Sequence, residues 1–188
     1  GKRISVPPNV WFIGTANQDE TTKDFADKTY DRANVQEFPK QPDEFTPTSQ
    51  PSPGNPWGIK SLQQAFKKAQ TKHADSATEA IHILKTDLTS PLHELGIGWG
   101  NRLEAQMKRY MPVLTACGGS IGEGLDNLVA HKLLRKLKGR FDIEHGSLVS
   151  LDQQITKIWD TSNSLKGSTP ERCLEILETE RKRLGNQD

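Results

Sequence analysis

The chain has few of the features that mark a disulfide-rich or a membrane protein. Its 188 residues include two cysteines, Cys117 and Cys173, and apolar residues make up only 33%. Because neither cysteine belongs to a Cys-x-x-Cys motif, we expect reduced, packed thiols. No apolar run approaches the ~20 residues of a membrane span, and residues 1–10 contain no signal-peptide core. These absences predict a soluble, cytoplasmic protein with a limited core.

The chain also lacks motifs for autonomous phosphate or metal chemistry. It contains no Gly-x-x-x-x-Gly-Lys-Ser/Thr sequence and no apolar run that ends in Asp-Glu to hold magnesium. The glycine-rich stretch 118–124 has no such lysine and follows a predicted helix, so we do not interpret it as a phosphate loop. The five histidines are too far apart in sequence for local metal-ligand spacing, and no metal site is predicted. With a net charge of +1, no overall electrostatic field argues for nucleic acid, membrane or an acidic substrate as partner.

An apolar run that ends in polar residues opens the chain. Residues 10–13, Val-Trp-Phe-Ile, show no alternation, which is typical of a strand buried on both faces. Gly14-Thr15-Ala16-Asn17 follows, then a helix-compatible segment at 23–33 and a second apolar stretch at 35–38. Ligands of α/β proteins bind at strand tips, so Asn17 is predicted to lie at a site. We therefore interpret residues 1–39 as a strand–helix–strand remnant of an α/β nucleotide-binding sheet.

The remainder of the chain is predicted to be helical. Residues 40–58 are rich in proline and are interpreted as a linker or a long ordered excursion. Amphipathic spacing and punctuation residues then predict helices at 61–72, 76–88, 102–115, 125–137, 148–165 and 170–184. Ser76 and Glu79 have the spacing of a capping box that opens the second of these. The predicted fold class is mainly α, with a helical bundle at 59–188 after the sheet remnant.

Residues 7–17 resemble the sensor-1 strand of AAA+ NTPases, specifically of the McrB-type restriction NTPases and their relatives. In that family a strand ending in Gly-Thr-x-Asn carries the sensor-1 asparagine, and Asn17 occupies this place. The next helix carries an arginine that reaches a neighbouring subunit's nucleotide, and Tyr30-Asp31-Arg32 is similar to that element. Gly100-Asn101-Arg102 is similar to the sensor-2 position of the lid, and 125–139 resembles a helix common in these lids.

The resemblance implies a C-terminal part of an AAA+ NTPase: the end of the core (1–39), a hinge (40–58) and a helical lid with the C-terminal bundle (59–188). Asn17 would orient the attacking water, and Arg32 would act as a catalytic arginine finger in trans. Arg102 would contact the nucleotide in cis. ATP or GTP with Mg²⁺ would bind only in the full-length protein, because a missing N-terminal portion supplies the P-loop, and this chain alone would be inactive.

The partners implied by the resemblance are that N-terminal portion, the neighbouring subunits of a homo-oligomeric ring, and DNA or a nuclease subunit, with no membrane. Because the family's P-loop strand lies between the two strands represented here, residues 9–17 and 35–38 are not expected to pair directly. Hydrogen exchange in this region of the isolated chain is therefore expected to be poorly protected.

Structural interpretations remain open for each predicted site residue. Asn17 could cap the turn that follows it, Arg32 could form a surface ion pair, and Arg102 could pair with Glu94 or Glu104. The whole chain could also be a stand-alone helical protein-interaction module with no link to nucleotide.

A third hypothesis is a helical nucleic-acid-binding domain. It would use the basic run at 132–140, which contains five lysines and arginines and is predicted to lie on one helix. A solvated helix face explains the same run.

Overall fold

A computed structural model of the chain describes residues 4–16, 27–33, 35, 54 and 57–185. Their regular structure is helical, and no strand occurs among them, which confirms a mainly α fold class. The helices are α1 (Asp27–Arg32), α2 (Ile59–Lys72), α3 (Ala74–Thr86), α4 (Thr89–Glu94), α5 (Asn101–Ala116), α6 (Ile121–Lys132), a 3₁₀ helix (Leu134–Leu137), α7 (His145–Thr161) and α8 (Glu171–Gly185). The chain forms two compact units, Gly1–Ala65 and Phe66–Asp188, which divide within α2.

The strand predicted at the start of the chain is not formed. Residues 10–13 have irregular backbone, and Phe12 and Ile13 are 84% and 91% exposed. The local hydrogen bond is that of a turn, from the Val10 N–H to the Pro7 carbonyl at 3.1 Å. A strand requires a neighbouring strand to pair its N–H and C=O groups, and the described residues supply none.

The rest of the predicted sheet remnant is described only in part. Helix α1 lies within the helix-compatible segment 23–33 and confirms a helix there. Val35, from the second predicted strand, has irregular backbone, and residues 36–38 lie outside the described residues. Of the proline-rich 40–58 segment, the structure describes residues 54, 57 and 58 alone. The strand–helix–strand remnant is therefore not seen in the described part of the chain.

The second unit is a helical bundle built around α6. This helix contacts α3, α5, α8 and the 3₁₀ helix, and seven of its twelve residues are buried. Helices α7 and α8 pack against each other, and α4 joins α3 to α7. The largest fully buried side chains are Ile83, Leu84, Leu88, Leu92, Ile97, Met107, Met111, Leu125, Leu133, Leu134, Leu137 and Leu148. Buried residues recur every three or four positions on α5, at Leu103, Met107 and Met111, and on α7, at Leu148, Leu151 and Ile155, which gives these helices an apolar face toward the core.

The start of α6 differs from the prediction. A capping box begins this helix, with the Ser120 N–H donating to Glu123 Oε2 at 2.7 Å and the Glu123 N–H to Ser120 Oγ at 3.1 Å. The helix therefore begins at Ile121, four residues before the predicted start at 125. By contrast, the capping box predicted at Ser76 is wrong, because this residue lies inside the first turn of α3 and its Oγ donates to the His73 carbonyl at 2.7 Å.

Two glycines of the glycine-rich stretch allow the close packing of α6. A Cβ at Gly124 would lie 2.7 Å from Leu114 Cδ2 and 2.7 Å from Met111 Sδ, both on α5. A Cβ at Gly122 would overlap the side chain of Ser168. Since such contacts are closer than carbon atoms tolerate, glycine at these positions sets the distance between α6 and its neighbours.

Candidate functional site

The three predicted site residues are described to different extents. Asn17 lies outside the described residues. Arg32 is the last residue of α1 and is exposed, two residues after the buried Tyr30. Arg102 is the second residue of α5 and is also exposed. Arg32 belongs to the first unit and Arg102 to the second, so the structure does not describe a composite site.

The N-terminus of α5 is the best-defined candidate site. The helix follows Gly100, whose backbone is extended, and no side chain caps its first N–H groups. Glu104 forms a salt bridge with Lys85 at 2.9 Å, and none of the ion pairs found in the described residues includes Arg102. Uncapped N–H groups beside an exposed guanidinium can together bind an anion such as phosphate.

Lysine and arginine side chains hold the loop that leads into α5. Lys136 Nζ donates to the Gly98 carbonyl at 2.7 Å, and Arg140 NH1 donates to the Leu95 carbonyl at 2.6 Å. In the same loop Ile97 is fully buried and Trp99 is half-buried. These contacts fix the position from which α5 begins and hence the position of Arg102.

The sequence predicted that the basic run at 132–140 lies on one helix, and this prediction is wrong. It passes from the end of α6 through the 3₁₀ helix into a loop, because α6 ends at Lys132. Within that loop Arg140 also donates to Asp142, from Nε at 3.0 Å and from NH2 at 2.5 Å. This pairing lowers the pKa of the Asp142 carboxyl and raises that of Arg140. Lys136 and Arg140 are therefore engaged within the fold.

A buried carboxylate also contributes to structure. Asp126 on α6 accepts the Arg172 N–H at 3.1 Å and the Cys173 N–H at 2.9 Å, and so caps α8. Burial, and secondarily Asp126, raise the pKa of the Cys173 thiol well above its usual value. A neutral, buried thiol is a poor nucleophile. Cys117 is exposed, so the expectation of a packed thiol holds for Cys173 and is wrong for Cys117.

Among the described residues no cluster of three or more histidine, cysteine or acidic side chains is arranged to hold a metal ion. None of the helices described combines the length and apolar composition that crossing a bilayer requires.

Comparisons of the chain with protein-family models, with curated proteins and with solved structures found no match.

Proposed function

We propose that the chain is the C-terminal part of a McrB-type AAA+ NTPase, which supplies sensor 1, an arginine finger and the lid to an oligomeric machine. The observation that carries the proposal is the run at 10–13, which has the composition of a doubly buried strand yet is exposed and has irregular backbone. Such a run is suited to a sheet that another portion of the protein completes. It leads into the Gly-Thr-Ala-Asn tip at 14–17, where a ligand would bind.

In the proposed mechanism each of the three residues has a separate task. The Asn17 amide orients the water that attacks the γ-phosphate, which an N-terminal P-loop portion holds with Mg²⁺. Arg32 reaches the nucleotide of the neighbouring subunit and stabilises the charge of the transferring phosphoryl group. Arg102, at the uncapped start of α5, contacts the nucleotide in cis and links its hydrolysis to movement of the lid.

The decisive experiment uses the longer protein, beginning upstream of Gly1. Its reading frame is expected to encode Gly-x-x-x-x-Gly-Lys-Ser/Thr, and the purified protein to hydrolyse ATP or GTP, whereas the 188-residue chain alone gives no turnover. Arg32→Ala is expected to lower hydrolysis by ~10³-fold or more while nucleotide binding persists. Lys28→Ala is the matched control, because Lys28 is an exposed cation one turn earlier on α1.

Arg102 is tested in the same protein. Arg102→Ala is expected to weaken nucleotide binding and hydrolysis together, and Arg109→Ala, at an exposed position on the same helix, to leave both unchanged. Absence of a P-loop upstream, or equal activity of the Arg32 and Lys28 variants, would contradict the proposed function.

A second candidate is the stand-alone helical interaction module. It is favoured by the position of the apolar core of the bundle, whose buried members all lie between Ala77 and Leu177, inside the second unit. The experiment above separates the two candidates, because an interaction module requires no upstream P-loop and no arginine finger. Nucleic-acid binding is less well supported, since Lys136 and Arg140 already hold the loop before α5. Salt-dependent DNA binding by the unsubstituted 188-residue chain would support the nucleic-acid-binding hypothesis.

A further inference from the structure

Helix α2 has an apolar stripe that is only partly covered. The stripe consists of Ile59, Leu62, Phe66 and Ala69, spaced three or four residues apart. No residue of α2 is buried, and Phe66 is 37% exposed. The helix also carries four lysines, at 60, 67, 68 and 72, and no acidic residue. None of the ion pairs seen among the described residues involves these lysines, so α2 is a cationic amphipathic helix.

The second unit contains a groove of the opposite charge, along one side of α7. Two clefts that share Gln154 form this α7 groove, with volumes of about 230 and 520 Å³. Pro91, Glu94, Leu95, Glu144 and Leu151 line the first cleft. Glu79, Ile83, Asp87, Lys157 and Ile158 line the second. Four carboxylates and one lysine therefore surround the groove, and Ile158 is the most exposed of the aliphatic side chains between them.

The dimensions of the stripe and the groove also match. Leu151 and Ile158 are seven residues apart on α7, which corresponds to about 10.5 Å along a helix axis. Ile59 and Phe66 on α2 have the same separation in sequence and hence the same axial distance. An α2 helix aligned with α7 can thus turn Ile59 and Phe66 toward one cleft each. Lys67 and Lys72, which flank the stripe, then lie nearest the carboxylates of the rim, whereas Lys60 and Lys68 lie on the opposite face of α2.

We propose that α2 of one copy of the chain docks in the α7 groove of a second copy. The two surfaces differ, so the contact is heterologous and can repeat from copy to copy. A single helix in a groove belongs to the small-interface class, below about 1,200 Å². The association is therefore weak, reversible and sensitive to salt. It does not depend on nucleotide and stands apart from the proposed NTPase role.

The test measures self-association of the 188-residue chain by sedimentation over a wide range of concentration, without nucleotide. Two double variants remove opposite sides of the contact: Lys67→Glu with Lys72→Glu on α2, and Asp87→Lys with Glu94→Lys in the groove. Each is expected to weaken self-association at least about tenfold. Because all four positions are exposed and outside the core, circular dichroism is expected to show that both variants fold as the parent does.

Mixing the two variants is the most discriminating part of the test. The groove of the α2 variant and the α2 helix of the groove variant are both intact, and the reversed helix and the reversed groove are again opposite in charge. The mixture is therefore expected to associate as the parent does, although neither variant associates by itself. Lys108→Glu with Arg109→Glu on α5, and Glu175→Lys with Glu178→Lys on α8, are the charge-matched controls at exposed positions, and both are expected to associate as the parent does. A parent chain that is monomeric at every concentration, variants that associate like the parent, or a mixture that associates no more than either variant alone would each overturn the proposal. None of these results bears on Arg32 or on hydrolysis.

Discussion

Asp126 links two helices through a single buried side chain. Its carboxylate, 3% exposed, accepts the N–H groups of Arg172 and Cys173 at the start of α8. The partial positive charge of a helix N-terminus favours an anion at this place, which offsets the cost of burying the carboxylate.

Replacement of Asp126 by alanine is therefore expected to destabilise the second unit. Asp126→Ala leaves two N–H groups without their acceptor, and we expect the free energy of unfolding to fall by about 3 kcal/mol. Urea unfolding followed by circular dichroism measures this change. Asp160→Ala, at an exposed position on α7, is the control and is expected to change the free energy by less than about 0.5 kcal/mol. Similar losses in the two variants would show that the cap contributes little.

Cys173 makes the stability of the protein depend on pH in the alkaline range. In the folded state its pKa is raised by burial, whereas in the unfolded chain the thiol titrates near ~8.5. Above that pH the unfolded state releases a proton that the folded state retains, so the free energy of unfolding falls as pH rises. The contribution of the neutral Cys173 thiol to stability is therefore fully present below the pKa of the thiol in the unfolded chain.

The corresponding experiment compares how steeply the free energy of unfolding falls with pH in two proteins. Parent and Cys173→Ala are unfolded in urea at a series of pH values from neutral to alkaline. The parent is expected to lose up to about 1.4 kcal/mol per pH unit more than the variant above pH ~8.5. Cys117→Ala, which removes the exposed thiol, is expected to keep the slope of the parent. Parallel curves for parent and Cys173→Ala would refute this account.

At the scale of helices, the glycines of α6 determine how closely α5 and α6 approach. Gly124→Ala is expected to reduce the free energy of unfolding by about 1–3 kcal/mol, because the new methyl group would press on Leu114 and Met111. Gly146→Ala is a matched control inside α7, where an added Cβ meets nothing within 4 Å. We expect that variant to stay within about 1 kcal/mol of the parent. Thermal unfolding measures both, and a neutral Gly124→Ala would show that α5 moves away at little cost.

The helices were more predictable from sequence than their ends. Periodic apolar residues predicted the buried faces of α5 and α7 because that signal is repeated over several turns. Ser76 and Ser120 both begin a Ser-x-x-Glu motif, yet only Ser120 precedes its helix in the extended conformation that a capping box needs. Ser76 follows α2 so closely that the chain is already helical, which the motif alone does not reveal. The prediction for α7 used the spacing of Leu148, Leu151, Ile155 and Ile158 and did not include Trp159, which is also buried.

Contacts between residues distant in sequence were less predictable. Lys136 and Arg140 bond to carbonyls 38 and 45 residues away, and no local pattern encodes such pairings. The predicted strand at 10–13 fails for a related reason, since pairing depends on a partner and not on the strand's own composition. Of the predicted site, the sequence located Arg32 and Arg102 on exposed helix termini, whereas Asn17 lies outside the described residues.

At the scale of the whole molecule, the second unit holds the bundle's core. The buried residues of that core run from Ala77 to Leu177 and belong to Phe66–Asp188. We therefore expect a chain truncated to residues 58–188 to fold alone, with the same urea midpoint as the parent. Residues 58–65 are kept so that α2 stays intact. A lower midpoint, or a loss of cooperative unfolding, would show that Gly1–Ala65 contributes to the stability of the bundle.

The placement of the tryptophans gives the protein an optical reporter for each unit. Trp11 and Trp57, in the first unit, are 61% and 71% exposed, whereas Trp159 in the second is 2% exposed. Iodide will quench the emission of the first pair most, that of the half-buried Trp99 in part, and that of Trp159 least, so in a Trp99→Phe variant a red shift of the unquenched emission will report unfolding of the bundle. Because Trp57 lies two residues before α2, a change in the quenching of Trp57 will also report binding of another molecule to α2.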